Sequence, residues 1–229
     1  MHILAVGAHA ADMEFTCGAV VLAYTRAGHS ATFLHCTPGE KGHPRLDPDT
    51  YAVQKVEEAK RVAAGLGATA RFLEYKDAEL LANEAVALAI ADVIRDETPD
   101  IVITHPPHSI HDDHANTHTN TMRAIFLAGL AGIRRTLPAH NVSRIYYAEN
   151  WEDMEGFVPD TYVDVSEVFD DWLDITSQYE LFRGGISSFR YKDYYQALGV
   201  MRGCLGRAER AIALMRPPGW GRKRGKLPL

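Results

Sequence analysis

The amino-acid sequence predicts an α/β protein, folded as a three-layer α/β/α sandwich with a mostly parallel sheet. Short apolar runs that are typical of strands alternate with longer amphipathic segments that are typical of helices. The helical segments are long enough to connect neighbouring parallel strands by right-handed crossovers. These two observations predict a Rossmann-like arrangement, for which we take the strand order 3-2-1-4-5.

The strands and helices are predicted in order along the chain. Ile3–Val6 is a short apolar strand, and Glu14–Ala27 has helical periodicity that ends near Gly28. The remaining strands are predicted at Thr32–His35, Arg71–Tyr75, Ile101–Thr104, Ser143–Tyr147 and Tyr162–Val165. The remaining helices are predicted at Thr50–Leu66, Leu80–Arg95, Asn116–Leu130, Ser166–Phe182 and Tyr194–Leu214.

Length and composition indicate one ordinary domain. The chain has 229 residues, 46% of them hydrophobic, which is enough to bury a core without disulfides or structural metals. We expect a single domain over residues 1–215. Residues 216–229 are rich in Pro and Gly and carry a basic run that we expect to be a flexible, solvated tail. That run contains Arg222, Lys223, Arg224 and Lys226.

Several classes of protein are disfavoured by composition and missing motifs. A net charge of −6 argues against nucleic acid as a partner, and no apolar run reaches the roughly 18 residues of a membrane span. Three cysteines do not form a disulfide framework, so we expect reduced thiols and a cytoplasmic location. The sequence lacks the glycine-rich motifs that bind dinucleotides or nucleoside triphosphates, and it lacks a GxSxG nucleophile motif.

Histidine and aspartate concentrate at the ends of two predicted strands. GAHAADMEF follows the first strand, and THPPHSIHDDHANTH follows the fourth. In the predicted order these strands are neighbours, and ligands of open α/β sheets bind in the crevice between them. Two imidazoles and one carboxylate, with a position left for water, form a typical hydrolytic zinc site. We therefore predict that His9, Asp12 and His114 bind a divalent metal.

The residues beside these three have candidate roles of their own. His111 is positioned to donate a proton to a leaving amine or to stabilise an oxyanion, and Asp113 to orient a histidine ring. Asp12 as a helix N-cap, and His105 or His108 as a structural ring, are the alternative interpretations.

These motifs resemble those of the LmbE/PIG-L-like family of zinc-dependent N-deacetylases. The family pattern AHPDD-x-E compares with Ala8–Glu14, and the family's H-P-D-H compares with the run from His111 to His114. A third family motif, T-x-G-E, matches Thr37–Glu40. The motifs agree in order and separation over roughly the first half of the chain.

The resemblance implies a function and a set of site residues. His9, Asp12 and His114 correspond to the metal ligands, His111 to the acid, and Glu40 to a substrate contact. The implied reaction is metal-dependent removal of an N-acyl, usually N-acetyl, group from an amino sugar or related small molecule. Zn²⁺ is the expected metal, Fe²⁺ is the alternative, and a homo-oligomer is the expected assembly.

One family position departs from the pattern. The family's general base, the first aspartate of PDD, corresponds to Ala11, whose methyl group cannot accept a proton. Losing a positioned base costs roughly 10²–10⁴-fold in rate. Either Glu14, Glu40, Asp112 or Asp113 supplies the base, or the chain is a weakly active or inactive metal- or carbohydrate-binding relative, or the alanine is an introduced substitution.

The loop after the fifth strand combines polar and aromatic residues. Tyr147–Asp153 is typical of a rim that binds a polar, sugar-like ligand, with Asn150 and Trp151 as candidate contacts. The alternative is that Trp151 packs over the sheet edge and the acidic residues are solvated.

Overall fold

A seven-stranded mixed sheet forms the centre of the computed structural model, which describes residues 1–219. The strand order is β3-β2-β1-β4-β5-β7-β6. The strands are β1 (His2–His9), β2 (Ser30–Thr37), β3 (Thr69–Phe72), β4 (Ile101–Thr104), β5 (Arg144–Ala148), β6 (Thr161–Asp164) and β7 (Ala211–Met215). The first five strands pair in parallel, which confirms the predicted mostly parallel sheet and its 3-2-1-4-5 order.

Helices cover both faces of this sheet and complete three layers. They are α1 (Asp12–Thr16), α2 (Gly18–Arg26), α3 (Pro48–Gly65), α4 (Glu84–Glu97), α5 (Asp112–Gly129), α6 (Phe169–Thr176) and α7 (Tyr191–Gly206). Ile3 and Ala5 on β1 point into the core under α2, α3, α6 and α7. Leu4 and Val6 point to the opposite core under α4 and α5, because side chains alternate along a strand.

The predicted first helix is split into two by a tryptophan from a distant part of the chain. The indole Nε1 of Trp172 donates to the carbonyl oxygen of Glu14 at 2.8 Å, so that oxygen is not available to the fourth residue along. The break falls at Cys17, and Gly18 follows because a Cβ there would lie 2.7 Å from the same indole nitrogen.

The last predicted helix is where the structure differs most from the sequence prediction. Only Tyr191–Gly206 is helical, and Ala211–Met215 is a strand that pairs antiparallel with β5 and β6. The chain turns back over Gly203, where a Cβ would lie 2.6 Å from the carbonyl oxygen of Glu209. Apolar residues compatible with a helix become a strand here because they pair with two neighbours in the sheet.

Two other predictions concern the ends of elements and the tail. The segment predicted as one helix over Ser166–Phe182 is helical only over Phe169–Thr176. The basic residues Arg222, Lys223, Arg224 and Lys226 lie outside the described residues. Over residues 1–219, none of the helices has the length and apolar character needed to cross a membrane.

Candidate metal centre

The loops after β1 and β4 face each other at the carboxyl edge of the sheet, since these strands are neighbours in register. His9 is the last residue of β1, and Asp12 begins α1. Between them Ala11 has φ of +96°, a left-handed conformation that is strained for a residue with a Cβ. His111 precedes α5, and His114 lies on its first turn. The strand pairing therefore brings side chains more than 100 positions apart into contact.

His9, Asp12 and His114 place three lone-pair donors at the corners of a nearly equilateral triangle. His9 Nδ1 is 3.4 Å from Asp12 Oδ2 and 3.3 Å from His114 Nε2. The third edge, from His114 Nε2 to Asp12 Oδ2, measures 3.5 Å. Ligands about 2.0–2.1 Å from a tetrahedral zinc ion are separated from each other by about 3.3–3.4 Å. The donor atoms and their spacing thus fit a divalent cation.

The other ring nitrogen of each of these histidines contacts carboxylates. His9 Nε2 is 3.1 Å from Asp77 Oδ1 and 3.2 Å from Asp113 Oδ2, while His114 Nδ1 is 2.9 Å from Asp153 Oδ1. An imidazole that donates its outer N–H to a carboxylate presents its inner nitrogen as a lone pair. The carboxylates therefore fix both rings in the tautomer that a metal needs.

The surrounding carboxylates favour positive charge at the triangle. Burial opposes a proton on His9, but the neighbouring acids, Asp12 foremost, raise the pKa of His9 well above its ordinary value. Burial likewise opposes charge on Asp12, but His114 and His9 lower its pKa well below the ordinary value. Burial and the nearby His105 lower the pKa of the third corner, His114, so the favourable environment for a cation comes from the carboxylates around His9.

Asp153 and His105 form a further layer behind the triangle. Asp153 is fully buried, and its Oδ2 is 2.8 Å from His105 Nδ1. His105 Nε2 lies 3.2 Å from Asp12 Oδ2, so the ring contacts a carboxylate on each side. Burial opposes protonation, but Asp153 and Asp12 raise the pKa of His105 to about 9.

Asp77 and Asp153 were absent from the sequence-based candidates. Each follows a strand of the sheet, Asp77 after β3 and Asp153 after β5. Ligands of open α/β sheets bind at the carboxyl ends of the strands, and the same reasoning that selected His9 and His114 would also have selected these two acids.

His111 is half-buried and faces the same cleft. Its Nδ1 accepts from the backbone N–H of Asp113 at 3.3 Å, so the ring caps α5. This contact leaves Nε2 as the donor nitrogen of the neutral ring. Burial, together with His9 and His114, lowers the pKa of His111. The ring centroids of His111 and His9 are 4.7 Å apart.

The carboxylates considered as replacements for the missing base occupy four different environments. Glu14 is fully buried and accepts from the hydroxyl of Tyr179 at 2.7 Å. Asp113 Oδ2 accepts from the backbone N–H of Ala78 at 2.7 Å in addition to its contact with His9. Glu40 Oε1 accepts from the backbone N–H of Asp77 at 3.0 Å, and Asp112 is exposed.

Glu152 is a carboxylate beside the triangle that the sequence-based candidates omitted. It lines the cleft, and its Oε2 is 3.7 Å from His114 Nε2. Burial, with Asp12 and Asp153 nearby, raises the pKa of Glu152 to about 7. The signal for it was the acidic run after β5, which the sequence interpretation had assigned to a rim or to solvent.

A cleft of about 210 Å³ opens over the triangle. It is lined by His9, Ala10, Asp12, Gly39, Gly42, Tyr51, Lys55, Asp77, His111, Glu152, Leu181, Ser187 and Tyr191. Within residues 1–219, the predicted substrate contacts Glu40, Asn150 and Trp151 lie beside this wall rather than in it. Trp151 stacks on Phe189 with ring centroids 4.3 Å apart, and Asn150 Oδ1 accepts from the backbone N–H of Glu152 at 3.3 Å.

The fold and this geometry define a class of protein. Its members are α/β sandwiches that place side chains suited to binding a divalent metal between the two neighbouring strands where the strand order reverses. The PIG-L family, described as GlcNAc-PI de-N-acetylases, matches residues 4–125, and the chain belongs to this family. The matched segment contains residues 4–9 of β1, all of β4 and all three corners of the triangle.

Individual curated relatives share less than a third of the aligned residues with this chain. A 1D-myo-inositol 2-acetamido-2-deoxy-alpha-D-glucopyranoside deacetylase 2 from Catenulispora acidiphila is 29% identical over 180 residues. That match covers 63% of this chain and 59% of the relative, so the chain corresponds to less than two thirds of the relative's length.

Solved structures show the same fold. The 4-carboxy-2-hydroxymuconate hydratase from Pseudomonas putida superposes with a TM-score of 0.87 at 20% identity, covering 99% of both chains. The N,N'-diacetylchitobiose deacetylase from Pyrococcus horikoshii superposes with a TM-score of 0.81 at 18% identity, covering 95% of this chain and 84% of that one.

Proposed function

We propose that this chain is a metal-dependent hydrolase that removes an N-acyl group, in the simplest case N-acetyl, from an amino sugar or a related small molecule. The observation that carries the proposal is the triangle of His9 Nδ1, Asp12 Oδ2 and His114 Nε2, with edges of 3.3–3.5 Å, at the base of a cleft. Family membership and the deacetylase relative support the choice of the amide bond and of a sugar-like substrate.

Two nitrogens and one carboxylate oxygen suit Zn²⁺, and the same donor set also suits Fe²⁺. Bound by His9, Asp12 and His114, such a cation polarises a carbonyl oxygen and lowers the pKa of water towards ~7. Asp77, Asp113 and Asp153 hold the two imidazoles in place through their outer nitrogens.

Glu152 carries the proton transfers in this proposal, and His111 stabilises the charge that forms. The oxygen of water bonds to the amide carbon while a proton of that water passes to the carboxylate of Glu152. The Nε2–H of the neutral His111 ring donates a hydrogen bond to the carbonyl oxygen as that oxygen becomes negative. The carbon–nitrogen bond then breaks, and the amine nitrogen takes the proton from Glu152, which restores the carboxylate and leaves a carboxylic acid and an amine. Glu152 thereby takes the role for which Ala11 has no group.

The test is acetate release from a panel of N-acetylated amino sugars by zinc-loaded protein. We expect activity that is lost with a chelator, returns with Zn²⁺, and falls roughly 10²–10³-fold in His111→Ala. The same assay with Fe²⁺ in place of Zn²⁺ shows which metal supports the higher rate. Stoichiometric metal binding without turnover on the whole panel would overturn the proposal in favour of a binding protein.

Hydration of an unsaturated carboxylic acid is a second candidate. Ala11 removes the base associated with deacetylation, and the hydratase neighbour covers 99% of both chains. Consumption of an unsaturated dicarboxylate by the zinc-loaded protein, with no acetate release from amides, would favour this reaction.

Other features stay predictions of the sequence. We retain a single domain over residues 1–215 with a separate basic tail at 216–229, a homo-oligomer, and contacts from Glu40, Asn150 and Trp151 to the substrate. A cytoplasmic location is consistent with three free cysteines, Cys17, Cys36 and Cys204. Light scattering measures the subunit number, and truncation after residue 215 tests the tail.

A further inference from the structure

A buried lysine lines the cleft beside the proposed metal centre. Lys55 lies on α3 and is only 3% exposed. A Cβ built on Gly39 would lie 3.6 Å from Lys55 Cε and 3.1 Å from His9 Cβ. Gly39, with φ of +77°, thus sits between Lys55 and His9, so the ammonium group is held close to the triangle.

The ammonium group has few partners among residues 1–219. Its hydrogen bond goes to the carbonyl oxygen of Ala10, and it makes no salt bridge with a carboxylate of those residues. Aromatic rings supply the other contacts: Nζ lies 5.1 Å from the centroid of Tyr179 and 6.0 Å from that of Tyr51. An ammonium group has three N–H donors, so two remain for another acceptor.

Carboxylates surround this ammonium group without touching it. Burial lowers the pKa of Lys55, and the charges of Asp12, Glu14, Glu58 and Asp77 raise it, although none of these acids makes an ion pair with Nζ among residues 1–219. Burying a charge is costly unless an opposite charge or hydrogen bonds compensate it. An anionic group in direct contact with Nζ would supply that compensation.

We propose that Lys55 binds a carboxylate group of the substrate, and therefore that the chain acts on an acidic small molecule. Among the described residues that line the cleft, Lys55 is the single lysine or arginine. The acidic residues of the same lining are Asp12, Asp77 and Glu152. An anionic group on the substrate would be repelled by these acids and attracted to this one end of the cleft. The inference rests on the proposed function in that the cleft is taken as the substrate site.

The first experiment measures binding without turnover. Glucuronate and glucose, a matched acidic and neutral pair, are titrated into zinc-loaded protein by calorimetry. We expect glucuronate to bind about 30- to 100-fold more tightly, as for a hydrogen bond to a charged group. Lys55→Met should reduce this preference to about threefold or less, while Lys55→Arg, which keeps the charge, should retain most of it.

The second experiment measures turnover on the corresponding amides, N-acetylglucosaminuronic acid and N-acetylglucosamine. We expect a similar ratio of kcat/KM in favour of the acid, lost in Lys55→Met and retained in Lys55→Arg. Circular dichroism confirms that the variants fold.

The outcomes separate this inference from the proposed function. If acetate is released but neither acid is preferred, or if Lys55→Met keeps the preference, Lys55 does not bind the carboxylate. If both substrates weaken equally in Lys55→Met, the lysine only supports the loop at Ala10, which also overturns the inference. If no amide is cleaved and glucuronate still binds through Lys55, the hydrolase proposal fails and the acid-binding role stands.

Discussion

Two buried clusters near the carboxyl edge of the sheet each combine histidine with carboxylate, and only one of them opens to a cleft. The first is the triangle of His9, Asp12 and His114. The second contains Glu14 and His35, both fully buried, with His35 Nε2 3.4 Å from Glu14 Oε1. Similar residue types at similar places in the fold thus form two different environments.

The difference lies in the groups around each histidine. In the triangle, carboxylates occupy the outer nitrogens, so the inner lone pairs converge. Neither ring nitrogen of His35 has a hydrogen-bond partner among residues 1–219, and the ring packs 4.8 Å from that of Phe72. A histidine beside an acid is therefore not enough for a metal site; the orienting carboxylates and the access from the cleft make the distinction.

The largest expected effect concerns metal binding. His114→Ala should remove one corner of the triangle, so we expect loss of bound zinc and a fall in activity of about 10³-fold or more. His35→Gln is the matched control, a change at an equally buried histidine of the second cluster, and it should keep its zinc. Elemental analysis of the folded fraction checks both. Equal zinc in His114→Ala and the unchanged protein would remove the distinction between the clusters.

The next largest effect is on kcat, and it compares Glu152, beside the triangle, with Glu14 of the second cluster. Glu152→Gln should lower kcat roughly 10²–10⁴-fold, because the amide cannot take the proton of water. Glu14→Gln should change kcat by about threefold or less, since Glu14 is enclosed and hydrogen-bonded to Tyr179. Steady-state kinetics on the same substrate measures both. A large loss in Glu14→Gln with a small loss in Glu152→Gln would assign the base to the closed cluster.

The smallest effect concerns His118, a histidine outside both clusters. Its Nδ1 donates to the carbonyl oxygen of His105 at 2.9 Å. Burial, with His105 and His108 nearby, lowers the pKa of His118 from its ordinary value of 6.5. Its contribution to stability is therefore present above pH 6.5 and is lost as the pH falls from there through the lower folded-state pKa.

Urea denaturation at pH 8 and at pH 5.5 checks this sign. The free energy of unfolding should fall by less in His118→Gln than in the unchanged protein over this range. An identical fall in the two proteins would show that His118 does not contribute to the pH dependence.

Sequence reasoning worked where a local pattern coincides with a rule of the fold. The apolar run Ile3–Val6 and the motif after it were enough to place His9 and Asp12 at a strand end. Sequence reasoning failed for Ala211–Met215. These residues are compatible with a helix, and they form a strand because β5 and β6 flank them. The single helix predicted over Glu14–Ala27 was wrong for a similar reason, since the interrupting indole belongs to Trp172, far along the chain.

By itself, the sequence determined the α/β sandwich, the order of its parallel strands and the two loops that bring His9, Asp12 and His114 to the switch point. These follow from periodicity and spacing within short segments. Only the tertiary structure decided which carboxylates orient His9 and His114, that Glu14 is enclosed, and that Glu152 and Lys55 line the cleft. These contacts join residues up to 165 positions apart, so they depend on strand register and helix packing, which short-range sequence patterns do not specify.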